Sequence, residues 1–107
     1  MARIQRSVYD IVVAVVSDYD RMKKLLDSGN VTREQAISFA KKISAVDNAL
    51  LVVCEGEDED VMEALRCDIG SKKGFSRSVA KAYYDESAFF RRKNEAIRQM
   101  ARLLNLI

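Results

Sequence analysis

Ile11-Val12-Val13-Ala14-Val15-Val16 is the stretch on which the fold class turns. Five of its six residues are β-branched, so taken alone it suits a buried strand. Working outward, however, Val8, Val12, Val15, Tyr19, Met22 and Leu26 recur at steps of three and four. A strand repeats every two residues, whereas this spacing makes one stripe of an amphipathic helix. The pattern predicts a helix from Arg6 to Asp27, closed by Ser28-Gly29-Asn30 with Gly29 as a left-handed cap.

The next start signal follows at once. Thr32-Arg33-Glu34-Gln35 is a capping box, and Val31 and Ala36 occupy the two positions of a hydrophobic staple. Ala36, Phe39, Ala40, Ile43, Val46, Leu50 and Val53 form the stripe of a second helix running to about Glu55, with Gly56 beyond it. The acidic residues Glu55, Glu57, Asp58, Glu59 and Asp60 lack the spacing of a calcium loop. They suit the positive end of a third helix over Asp58 to Ile69, with Val61, Met62, Leu65 and Ile69 inward and Gly70 at its end.

Proline is absent and only four glycines occur, so a chain punctuated by tight turns is excluded and an all-α domain is expected. At 107 residues the chain suits one domain. Histidine is absent, which removes Ser–His and Cys–His triads and most zinc sites. No glycine-rich phosphate loop is present either, so an enzyme, a cofactor and a metal site are not expected. Cys54 and Cys67 are too few for a disulfide scaffold and read as buried, reduced thiols on helices. The apolar run is too short to span a bilayer, and no signal-peptide pattern precedes it, so the expected location is cytoplasmic with no membrane partner.

Charge divides the chain in two. Residues 71–107 hold nine Lys and Arg against three acids, +6, while residues 1–70 hold nine against thirteen, −4. The basic part reads as a linker, Ser71-Lys72-Lys73-Gly74, a short fourth helix from Phe75 to Tyr84, and a fifth from about Glu86 to Leu104 capped by Asp85. The fifth helix is expected to bury Phe89, Ala96, Ile97, Met100, Leu103 and Leu104. That leaves Ser87, Phe90, Arg91, Asn94 and Arg98 along one side, with Arg92, Glu95 and Arg102 adjoining. Arg can make a bidentate contact to guanine and Asn to adenine. Lys72, Lys73 and Arg77 would add phosphate contacts that fix the register. The expectation is a five-helix domain, with a helical hairpin over 1–56 and a helix–turn–helix unit over 57–107 that binds duplex DNA.

Ala49-Leu50, Asp58 to Leu65, Phe75 to Tyr84, Phe89-Phe90-Arg91-Arg92-Lys93-Asn94-Glu95-Ala96-Ile97 and Met100 to Leu104 together resemble the ArpU/RinA-type phage transcriptional regulators. Those regulators are similar to the helix–turn–helix of sigma-factor region four. The resemblance covers residues 46–107 loosely and 85–107 closely. Asp85 stands where the family has a capping Ser, and Tyr84 where it has a small residue or glycine. The resemblance implies sequence-specific regulation of phage or prophage genes, with promoter DNA and RNA polymerase as partners. A homodimer mate is a further expected partner. Two other readings fit the charge pattern: a small terminase-like DNA-packaging protein, and a helical module whose basic face binds an acidic protein.

Overall fold

The computed structural model describes residues 4–55, 59–71 and 84–107. Five helices are found there and no strand among the described residues: α1 Arg6–Ser17, α2 Tyr19–Ser28, α3 Arg33–Val53, α4 Glu59–Gly70 and α5 Glu86–Leu103. The all-α expectation is met, and the β-branched run lies inside α1. These are not the five helices read from the sequence. The expected first helix is two, α1 and α2, and the expected fourth, 75–84, lies almost wholly outside the described residues.

The break between α1 and α2 has a local cause. The Ser17 hydroxyl donates back to the Ala14 carbonyl at 2.9 Å, a bond that bends helices. The Asp18 N–H is shared between the Ala14 and Val15 carbonyls, and the Asp18 carboxylate accepts from Arg21. Beyond the break, α2 and α3 pair across a short connection. Gly29 adopts φ 75°, the left-handed conformation that ends α2. Thr32 and Gln35 then exchange the two bonds of the capping box, at 3.1 and 3.0 Å.

The redirected α1 packs chiefly against α4 and α5, while α3 packs against α2 and α5. The hairpin expected of the first long helix is thus made by α2, and α1 serves the other half of the fold. One apolar cluster joins Val12, Val13 and Val16 of α1, Val46, Ala49 and Leu50 of α3, Leu65 and Ile69 of α4, and Phe89, Ile97 and Met100 of α5. Gly70 is the last residue of α4, as expected of a terminator, but it has a second role. A Cβ there would sit 3.2 Å from the Ser17 Cα and 3.3 Å from the Ser17 N, so its lack of a side chain lets α1 and α4 approach. Cys54 is buried as expected; Cys67 is exposed, because it falls on the outer side of α4.

Candidate nucleic-acid interface

The best-defined candidate element is α5, and its start is built from side chain and backbone together. Asp85 is extended, at φ −75° and ψ 172°, and its carboxylate accepts the Ala88 N–H at 2.7 Å. Phe89, Ala96, Ile97 and Met100 then fall on one side and are buried, as the spacing predicts. The other end closes just as definitely. Asn105 takes φ 59°, the Leu106 N–H bonds the Ala101 carbonyl at 2.8 Å and the Asn105 N–H bonds Arg102 at 3.0 Å. This is the Schellman arrangement, and Leu106 packs back on the core. That closing turn seats Ala101 inside and leaves Leu103 48% exposed, against the expectation that Leu103 would be buried.

The side of α5 away from the core carries Ser87, Phe90, Arg91 and Asn94, all exposed. Phe90 is 41% exposed, with its ring edge-on to Phe89 at 5.2 Å. Arg98 continues this side and is half-buried; Arg102 follows it and is exposed. The structure therefore brings five of the expected contact residues, Ser87, Phe90, Arg91, Asn94 and Arg98, onto one helix. Lys72, Lys73 and Arg77 lie outside the described residues.

Arg92 is placed differently from its expected neighbours. It turns toward α3, where Nη1 donates to the Val53 carbonyl at 2.7 Å, across 39 residues of sequence. A guanidinium at the carbonyl end of α3 complements that helix's dipole. The bond makes Arg92 a tie between α3 and α5. Lys93, one of the nine bases of the C-terminal third, is buried at 8% exposure. Its ammonium lies 5.7 Å from the Phe89 ring. Burial holds its pKa below the usual lysine value, and the fully buried Asp68 carboxylate on α4 opposes that shift. The charge that α5 presents outward therefore comes from its arginines.

A second polar assembly joins α2, α3 and α4, and no spacing rule pointed to it. The Tyr19 hydroxyl donates to Asp47 at 2.7 Å, and the Arg66 guanidinium lies 4.2 Å over the Tyr19 ring. Arg66 also meets Asp20 at 3.3 Å. These residues line a cleft of about 480 Å³ together with Lys23 and Glu63. The network satisfies its own polar groups and reads as a joint between helices. Among the described residues no group of His, Cys, Asp and Glu is arranged to hold a metal ion, and no helix is long and apolar enough to cross a membrane.

The chain matches no family model, no curated protein and no solved structure. The functional reading accordingly rests on the residues themselves.

Proposed function

We propose that this protein binds duplex DNA sequence-specifically through the outward side of α5, as a transcriptional regulator of phage or prophage genes. One observation carries the reading. Ser87, Arg91 and Asn94 are exposed at steps of four and three on a helix whose opposite side is locked into the core. Arg91 and Asn94 are residue types that read guanine and adenine by paired hydrogen bonds. A helix held by a cap at its start and a Schellman turn at its end gives such side chains a rigid base. The +6 charge of residues 71–107 supplies the sequence-independent attraction, and the resemblance to the ArpU/RinA-type regulators supplies the biological setting.

The test begins with selection of a preferred duplex from a random pool, followed by anisotropy titrations on selected and random duplexes. Arg91→Ala should lose about 1–3 kcal/mol on the selected duplex and much less on the random one. Circular dichroism should show an unchanged fold. Failure of any duplex to emerge from the pool would remove sequence-specific binding, and equal losses on both duplexes would make Arg91 a phosphate contact.

A further inference from the structure

The inward residues of α3, Val46, Ala49, Leu50 and Val53, join the core, where α2 and α5 pack against this helix. Its opposite side has another pattern. Successive helical residues turn by about 100°, so Ile37, Ser44 and Leu51 share that side, with Ser44 midway. Ile37 is 58% exposed, Leu51 56% and its neighbour Val52 61%, which makes α3 the helix richest in exposed large hydrophobic side chains. Between them lie the exposed Ala40, Ser44 and Asn48. The Asn48 amide donates to the Ser44 hydroxyl at 3.1 Å, so part of their polar demand is met within the helix. The charged ends are placed symmetrically too. Arg33 begins α3 and Glu55 follows its end, at equal distances from Ser44. Neither makes an ion pair among the described residues. Each stands where the dipole of its own helix opposes its charge, a cation at the positive end and an anion at the negative end.

We infer that this side of α3 is an interface between two copies of this chain, packed antiparallel about a two-fold axis at Ser44. The pattern specifies a second copy because it reads alike from both ends: charge, apolar, small, apolar, opposite charge. An antiparallel mate sets Leu51 of the second copy beside Ile37 and Glu55 of the second copy beside Arg33, and the two-fold axis repeats both contacts. Each charge then meets its opposite and the favourable end of the other helix's dipole. Ala40 and Ser44 are small, so the two helices can approach closely at the centre. A parallel mate would instead set Arg33 against Arg33 and Glu55 against Glu55. The inference does not rest on the DNA-binding reading. A two-fold pair nevertheless carries two copies of α5, the arrangement that matches inverted half-sites.

The experiment is sedimentation equilibrium of the full chain at rising concentration and low salt. The mass should climb from that of one chain toward that of two. Arg33→Glu alone and Glu55→Arg alone each set like charges opposite one another, and each should weaken self-association about tenfold. Mixed in equal amounts, the two variants regain both opposite-charge contacts between unlike chains, so the mixture should associate about as tightly as wild type. Ile37→Asp places a carboxylate in the apolar part of the interface and should abolish the dimer. Circular dichroism should be unchanged in all three variants, because all three positions are exposed. Wild-type protein that keeps the mass of one chain at every concentration overturns the inference. A dimer indifferent to Ile37→Asp and to both charge variants overturns it as well, since its interface lies elsewhere. A dimer lost in the single charge variants but not regained on mixing overturns the antiparallel arrangement about Ser44. The DNA-binding reading stands in each case, because the outward side of α5 takes no part in the pairing.

Discussion

Tyr19 is the residue whose chemistry is most altered by the fold. Burial first, and the bond to Asp47 second, push its phenol up to about 12 from 10.0. A group whose pKa is raised on folding stabilises the protein while it keeps its proton. That contribution is complete below pH 10 and is lost as pH rises through about 12. Urea midpoints of wild-type protein and Tyr19→Phe, followed from pH 8 to 11.5, should show it. At pH 8 the variant should be about 1 kcal/mol less stable, because the Asp47 carboxylate loses a donor in a half-buried site. The difference should shrink above pH 10. A constant difference would mean that the hydroxyl does not titrate with the fold. Lys93 acts with the opposite sign, since its pKa is lowered on folding, and comparing the two proteins cancels it.

Among the elements, the junctions are where single substitutions bite. Gly70→Ala would drive a methyl group against the Ser17 backbone, and backbone yields less readily than the end of a side chain. A loss of about 1–3 kcal/mol is expected from this overpacking, read as a fall in the urea midpoint at constant m-value. A neutral result would mean that α1 and α4 can slide apart without loss of packing. Arg92 and Arg91 make a paired test on α5. Arg92→Ala removes a charged donor from the Val53 carbonyl and should cost about 1.5–3 kcal/mol. Arg91→Ala, next to it but exposed, should stay within about 0.5 kcal/mol. Thermal melts of the two variants side by side would check this. If Arg91→Ala proves the more costly, the assignment of Arg92 as the tie and Arg91 as an exposed side chain without packing to lose is inverted.

For the whole molecule, the apolar cluster draws on all five described helices, with Tyr19 the contribution of α2, so no described part of it is self-sufficient. Unfolding in urea should therefore be one transition, coincident by far-UV and near-UV circular dichroism. Two separated transitions would show that α2 and α3 form a unit apart from α4 and α5. The same arrangement explains why α5 can present rigid side chains. It packs on both α3 and α1, which buries its inner side along most of its length.

Local rules were enough for everything decided by neighbours in the chain. The helical reading of residues 11–16, the Thr32–Gln35 box, the Gly29 cap and the Asp85 cap all depend on spacings of four residues or fewer, and all are present. So was the exposure of Ser87, Phe90, Arg91 and Asn94, because a long amphipathic helix has only one apolar side. Contacts between distant segments were not legible in this way. The approach of Ser17 to Gly70, the tie from Arg92 to Val53, the burial of Lys93 and the Tyr19–Asp47–Arg66 joint each depend on which helices meet. Periodicity tells a helix which side to bury. It says nothing of which neighbour covers that side, and at Arg92 the neighbour is the end of another helix, which turns a surface charge into a structural bond.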